Sequence, residues 1–139
     1  MRFHRDVEYA LISLSEMDDA VHSARELSDL HNVPYGLLCK ILQRLSNAGI
    51  LESIQGPRGG YKLIKDPEKV SLSTIIDAVH GEQHVAPCLD EGDCGRIADC
   101  TIRDGVLMVQ SMWDTMLGGM SLQDFARKNN KIKTLAKEA

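Results

Sequence analysis

Three cysteines, Cys88, Cys94 and Cys100, form a C-x5-C-x5-C pattern within Cys88-Leu-Asp-Glu-Gly-Asp-Cys94-Gly-Arg-Ile-Ala-Asp-Cys100. A step of six residues turns an α-helix by about 600°, so thiols at this spacing cannot line one helical face. In an extended strand they would share a face, but each step would span about 20 Å. A folded-back loop lets three sulfurs meet, and Pro87, Gly92 and Gly95 supply its punctuation. Three thiolates converging from a loop make a soft-metal site, suited to an iron–sulfur cluster or to zinc. Other readings stay open: unbonded thiols, a redox-active thiol site, or one disulfide and a spare cysteine.

The location of the chain weighs on that choice. Its first residues, Met-Arg-Phe-His-Arg-Asp-Val-Glu, are charged and lack a signal-peptide apolar run. No stretch approaches the roughly 18 apolar residues of a membrane span. The expectation is a cytoplasmic protein with reduced thiols and no membrane association, which weakens the disulfide reading. Cys100 stands just before Thr101-x-x-Asp104, a capping pattern predicted to open a helix at Thr101. A helix N-terminus favours the thiolate. His80 and His84 flank the loop as candidate further ligands, weighed against the commoner role of a surface histidine. Cys39 lies far upstream and reads as a small helix residue.

The elements that must position this loop follow from periodicity. The chain has 139 residues, 43% of them apolar and 26% charged, an ordinary globular composition, while aromatics at 4% leave the core to aliphatic packing. Residues 5–15 predict a helix with Val7, Ala10, Leu11 and Leu14 on its apolar side, and His4 and Glu8 off it. Ser23-x-x-Glu26 is a capping box opening a short helix with Ala24, Leu27 and Leu30, broken at Asn32-Val33-Pro34. A third helix carries Leu37, Leu38, Ile41, Leu42 and Leu45 and ends at Ala48-Gly49. Two short helices joined by a tight turn and preceded by a packing helix spell helix-turn-helix. Ile50–Ile54, Gly56-Pro-Arg-Gly-Gly60 and Tyr61–Ile64 then predict a β-hairpin with a glycine-rich tip, the wing of a winged helix.

Beyond the wing, Ser71 caps a helix holding Leu72, Ile75, Ile76 and Val79, closed by Gly81. After the cysteine loop, Ile102, Val106, Val109, Trp113 and Met116 keep the a/d rhythm of a heptad until Gly118-Gly119. Two heptads suit a seam against a partner subunit, with packing on the chain's own domain as the alternative. A short closing helix is expected from Ser121 to about Lys128 and a frayed lysine-rich tail after it. The fold class is therefore mainly α with a small β-hairpin wing. Residues 1–80 form the winged helix-turn-helix domain, 81–101 the cysteine loop, 102–130 the dimerisation and closing helices, and 131–139 the tail.

The second helix of a helix-turn-helix sends side chains near its start to base edges. Here those are Tyr35, Gly36, Cys39, Lys40, Gln43 and Arg44. Gln43 suits adenine, while Lys40 and Arg44 suit guanine or phosphate. Arg58, alone among the wing glycines and next to Gly59, suits a narrow minor groove, and Lys62 and Lys65 suit phosphate. Each has the alternative of a solvated surface charge. The formal net charge of −4 is uneven: residues 1–65 balance eight Lys/Arg against eight Asp/Glu, and residues 66–139 carry eight against twelve. Asp90, Glu91, Asp93 and Asp99 crowd the cysteine loop, which argues against its touching DNA. No catalytic constellation is present, and an enzyme is not expected.

The pattern Met-Arg-x-x-x-x-x-Glu-Tyr-Ala-Leu, Pro34-Tyr-Gly-Leu-Leu-Cys-Lys40, Leu45-x-x-Ala-Gly-Ile-Leu, Gly56-Pro-Arg-Gly-Gly-Tyr61 and the triple cysteine resembles the Rrf-two family of bacterial winged-helix regulators, over residues 1 to about 128. The resemblance implies a homodimer with an iron–sulfur cluster, [2Fe-2S] or [4Fe-4S], in each subunit. It implies binding to a palindromic double-stranded DNA operator under control of cluster state, sensing nitric oxide, redox or iron status, and a repressor more than an activator. The ligand cysteines map to Cys88, Cys94 and Cys100 and the wing arginine to Arg58. In one branch of the family the fourth ligand is a histidine three residues after the last cysteine; this chain departs from it with Arg103. In another it is an acidic residue of the first helix of the other subunit, here Glu8. The alternatives from the residues remain a winged-helix regulator sensing redox through bare thiols, or a structural zinc protein whose winged helix binds protein.

Overall fold

The structure, a computed structural model, describes residues 2–17, 19–90 and 94–125. Helix α1 (Arg5–Glu16) buries Val7, Ala10, Leu11 and Leu14 on one stripe, as the three- and four-residue spacing predicts. Helix α2 (Ala24–His31) starts where the Ser23 hydroxyl accepts from the Glu26 N–H at 3.0 Å. Asn32, in the left-handed conformation, ends it. The Ser28 hydroxyl then donates to the Val33 carbonyl at 2.6 Å and pins the turn into α3 (Tyr35–Asn47). Helix α3 buries Leu38, Ile41, Leu42 and Leu45. Leu30 (65% exposed) and Leu37 (36%) do not join the core as their spacing suggested.

The wing is a two-stranded antiparallel hairpin, β1 (Leu51–Ile54) and β2 (Gly60–Leu63), with Leu51 opposite Leu63 and Ile54 opposite Gly60. Leu51 and Leu63 are buried at its base. A bridge between His22 and Tyr61, with both backbone N–H···O distances 2.8 Å, ties β2 to the segment entering α2. That approach explains the paired glycines at the tip. A Cβ on Gly60, whose φ is +155°, would stand 2.3 Å from the His22 carbonyl oxygen; one on Gly59 would stand 2.2 Å from that of Ile54.

Helix α4 (Leu72–Val79) is capped by Ser71, whose hydroxyl accepts from the Thr74 N–H, and buries Leu72, Ile75, Ile76 and Val79. Helix α5 (Arg103–Gly119) packs on α4. It corrects one expectation. It begins at Arg103 and not at Thr101, and no side chain caps it: residues 101–102 form a turn, with Ile102 at the cap position. It ends at the Gly118-Gly119 pair as expected, with an extended Met120 after it. Short helix α6 (Leu122–Phe125) returns to the start of α4, where Leu72 N–H donates to the Met120 carbonyl and Leu122 N–H to that of Val70, each at 2.8 Å. The rest of the expected closing helix and the tail lie outside the described residues.

Candidate DNA-binding face and cysteine loop

Helix α3 exposes Gly36, Lys40 and Gln43 on the face opposite its buried leucines, with Tyr35 at the open end and no acidic residue along the helix. Tyr35 is held from two sides. The Arg25 guanidinium carbon lies 3.8 Å from its ring centroid. A hydrogen bond and charge from Cys39, one turn on, push its phenol above the ordinary tyrosine range. Arg25 was not anticipated: it is the second residue of α2, and only the angle between α2 and α3 brings it to the reading face. Arg58 stands exposed at the wing tip, and half-exposed Lys62 stands opposite Glu52 in the hairpin register. Lys65 is exposed just beyond β2.

Arg44 has a partner within the chain. Its Nη1 donates to the Val79 carbonyl at 2.8 Å, so the reading helix grips the last turn of α4. This side chain, expected to read guanine or phosphate, also supplies a C-terminal cap to a neighbouring helix.

The cysteine loop leaves α4 directly after that grip. At His80 the ring stacks on His4, with centroids 3.6 Å apart and planes 16° apart, and Nδ1 lies 3.0 Å from the Asp6 carboxylate. Burial pushes Asp6 upward. The His80 hydrogen bond and charge, the Val7 N–H and the His4 charge outweigh it, and the carboxyl ends below its ordinary range. His84 Nδ1 meets Asp90 at 2.7 Å. Both loop-flanking histidines are therefore engaged by carboxylates through Nδ1. Gln110 of α5 fastens the start of the loop: its carbonyl accepts from Val85 N–H at 2.9 Å and its amide donates to the Gln83 carbonyl at 3.2 Å.

Cys88 sits in a single 3-10 turn, Pro87–Leu89, and Cys100 ends another, Ile97–Asp99. The Cys94 carbonyl accepts from the Ile97 N–H between them. All four cysteines are free and half-buried. Among the described residues, however, no three His, Cys, Asp or Glu side chains stand grouped as a metal site. One further polar atom points to a missing partner: Nη1 of Arg103, at the first residue of α5, is buried with no hydrogen-bond partner. The three free thiols are the soft ligand type that an iron–sulfur group takes, and the described residues do not by themselves bring them together.

Glu8 projects from α1 half-buried and pairs within its own chain with Arg5 at 2.8 Å. The predicted α5 stripe divides. Trp113 packs against the core and Val106 is half-buried, whereas Ile102 (67% exposed), Val109 (50%) and Met116 (48%) face outward with Met108 and Met112. The outward row follows α-helical spacing, which drifts from a strict heptad.

The family profile Rrf2, described as an iron-dependent transcriptional regulator, matches residues 3–128. The chain belongs to the Rrf2 family. A helix-turn-helix-type transcriptional regulator of Aquifex aeolicus is 31% identical over 97% of this chain and 91% of its own length. The regulator IscR of Vibrio campbellii is 24% identical over 90% of this chain and 77% of that protein. The structure of CymR, the global cysteine regulator of B. subtilis, superposes with a TM-score of 0.70 at 21% identity, covering 91% of this chain and 96% of that one, and so shares the winged-helix fold. This chain is accordingly a DNA-binding transcriptional regulator. No helix among the described residues is long and apolar enough to cross a membrane.

Proposed function

We propose that this regulator is a homodimer that reads a palindromic operator through α3 and the wing, with its affinity set by an iron–sulfur cluster held by Cys88, Cys94 and Cys100 and by Glu8 of the partner subunit. The observation that carries the reading is the placement of three free cysteines on the one loop that joins α4 to α5. That loop starts at the helix end gripped by Arg44 of the reading helix. The family's description as iron-dependent supports it.

When bound, the cluster supplies a group that oxidants, nitric oxide or iron loss can alter. The chain's own residues do the rest. Gln110 and the His84–Asp90 pair anchor the front of the loop. Cys88, Cys94 and Cys100 would draw its middle and end together on the bound group. Arg44, on Val79, passes any movement of the α4 terminus to the helix carrying Lys40 and Gln43. Tyr35, Gly36, Lys40 and Gln43 meet base edges and phosphates, while Arg58, Gly59 and Lys62 bring the wing to the backbone or minor groove. Lys40 and Gln43 can reach bases because α3 turns Leu38, Ile41, Leu42 and Leu45 inward.

A second reading has an observation behind it: the three sulfurs are not grouped within the single chain. In that reading the thiols sense oxidants directly, by forming disulfides. One experiment separates the two readings and the structural-zinc alternative. The protein is purified without oxygen, its iron, sulfide and zinc are counted, and operator binding is measured before and after removal of whatever is bound. Iron and sulfide in comparable amounts, with operator affinity changing on their loss, support the cluster. Zinc without sulfide, or unchanged affinity in the metal-free reduced protein, overturns it.

A further inference from the structure

Arg25 is the second residue of α2 and is exposed. Its guanidinium carbon lies 3.8 Å from the ring centroid of Tyr35, the first residue of α3 and itself 41% exposed. A carboxylate is within reach on its own helix, since Asp29 stands one turn further along α2. That pair does not form. Glu26, next in the chain, meets His22 at 3.6 Å instead, and no carboxylate among the described residues pairs with Arg25. The ring takes one face of the guanidinium and leaves its planar edge of N–H donors uncommitted. Two other elements fix the place of this edge. Tyr35 heads the row of α3 that runs through Cys39 to Gln43 at four-residue spacing, and the His22–Tyr61 bridge fastens the entry of α2 to the wing. A cation aimed by an aromatic ring, without an ionic partner, thus stands where the reading helix and the wing come together.

Resting on the reading above in which α3 and the wing meet DNA, we infer that Arg25 grips a backbone phosphate of the bound duplex, with Tyr35 as its positioning residue. The fork of donors matches two phosphate oxygens at once, which a point charge does not. The stack holds the fork before DNA arrives, so less side-chain freedom is lost on binding. In a chain of formal net charge −4, affinity for a polyanion has to come from a few placed cations, and α2 adds one to those of α3 and the wing. A phosphate carries no base identity. Arg25 therefore fixes the register of the reading helix on the duplex and leaves discrimination to side chains such as Gln43.

The test measures binding of the full-length protein, purified without oxygen, to two probes over a range of salt. One is the duplex that the wild type selects most strongly from a random-sequence pool; the other is the unselected pool. Arg25→Ala should weaken both by about the same factor, roughly tenfold, the scale of one charge-assisted hydrogen bond. The slope of log affinity against log salt should fall by about one. Arg25→Lys should keep the slope and lose part of the affinity. Arg25→Ala should cost less in a Tyr35→Leu background than in the wild type, because the ring no longer aims the guanidinium. A wild-type salt slope in Arg25→Ala overturns the phosphate contact, whatever the affinity. So does a loss confined to the selected duplex, which would make Arg25 a base reader. Equal costs of Arg25→Ala with and without the Tyr35 ring overturn the positioning role. Lys40→Ala and Arg58→Ala run alongside. If they weaken binding while Arg25→Ala does not, only the arginine falls; if all three bind as wild type, the α3 and wing interface falls with it.

Discussion

The Arg44 guanidinium of α3 donates to the Val79 carbonyl at the end of α4 at 2.8 Å, one residue before the stacked His80. A reading helix and the root of the cysteine loop thus share one charge-assisted hydrogen bond. Removing it in Arg44→Ala should cost about 1–3 kcal/mol of stability, read from the urea midpoint, since a bond to a charged donor is lost. The dependence of operator affinity on salt should stay nearly as in wild type. An unchanged urea midpoint with a salt slope lower by about one would make Arg44 a phosphate contact instead.

The wing makes a second prediction. Arg58→Ala should weaken operator binding by about 1–3 kcal/mol if the tip arginine enters a groove. Gly60→Ala should weaken it further with helical content intact, because its Cβ meets the His22 carbonyl at 2.3 Å and the hairpin must leave the α2 entry. Circular dichroism and operator titration check both. Wild-type affinity in the two proteins together would take the wing out of the interface.

Two carboxylates should respond to pH with opposite signs. Asp6 is lowered: burial works against it, and the His80 bond and charge, Val7 N–H and His4 win. Its stabilising contribution is present above the unfolded carboxylate pKa and is lost as pH falls through the lower folded value. Asp77 is raised, by burial first and then by the charges of Glu82 and Asp114. Its stabilising contribution is present at low pH and is lost as pH rises through the raised folded value, so near neutrality the ionised group is a cost. Asp77→Asn should therefore raise the thermal midpoint at pH 7 and Asp6→Asn should lower it, with both differences shrinking toward pH 3. Shifts of the same sign at pH 7 would contradict this assignment.

Much of this fold was legible because its signals are local. The stripe Val7, Ala10, Leu11, Leu14, the Ser23 and Ser71 caps and the glycine-rich tip each lie within one element, and each stands where its spacing put it. What spacing did not show depends on contacts between elements. Arg44 reads as one more cation on an exposed face until α4 supplies Val79, and Arg25 joins Tyr35 only through the α2–α3 angle. Asp6, His4 and His80 meet across most of the winged domain, and no spacing announces them. Thr101-x-x-Asp104 has the form of a capping box, yet the chain is still turning out of the cysteine loop there and the helix waits until Arg103.

The division of the α5 stripe separates two kinds of mutation. Met112 is 67% exposed and Trp113 packs on the core of its own chain. An apolar row of Val109, Met112 and Met116 needs a cover that a two-fold partner would supply. Met112→Glu should give a folded monomer by light scattering, with operator affinity reduced. Trp113→Ala should lower the thermal midpoint, its loss from a half-buried site costing about 2–4 kcal/mol. A Met112→Glu dimer of normal affinity would place the seam elsewhere.

The last prediction concerns Glu8. In the single chain its carboxylate takes Arg5 at 2.8 Å, with the two side chains 41% and 72% exposed. An exposed pair of this kind contributes about 0–1 kcal/mol and is easily given up. Glu8 also lies off the buried stripe of α1, so the core does not hold it. Arg103 has no lone pair to give, and among the described residues no histidine or carboxylate stands grouped with the cysteines, so the three thiols are one ligand short of four within their own chain. A carboxylate from a partner's α1 would complete the set. As a hard oxygen on soft iron it would also be the first bond to yield. Because α1 packs against α3, that loss would reach the reading helix directly. Mixed dimers test this. One subunit carries Glu8→Ala and the other Cys94→Ser, so the cysteine-complete loop belongs to the Glu8→Ala subunit and faces an intact Glu8 in its partner. That site should show the wild-type spectrum and stability per cluster, and the Glu8→Ala homodimer should show altered ligation and faster loss of iron. A mixed dimer that matches the Glu8→Ala homodimer per cluster, or a homodimer that matches wild type, would end the assignment and return Glu8 to Arg5.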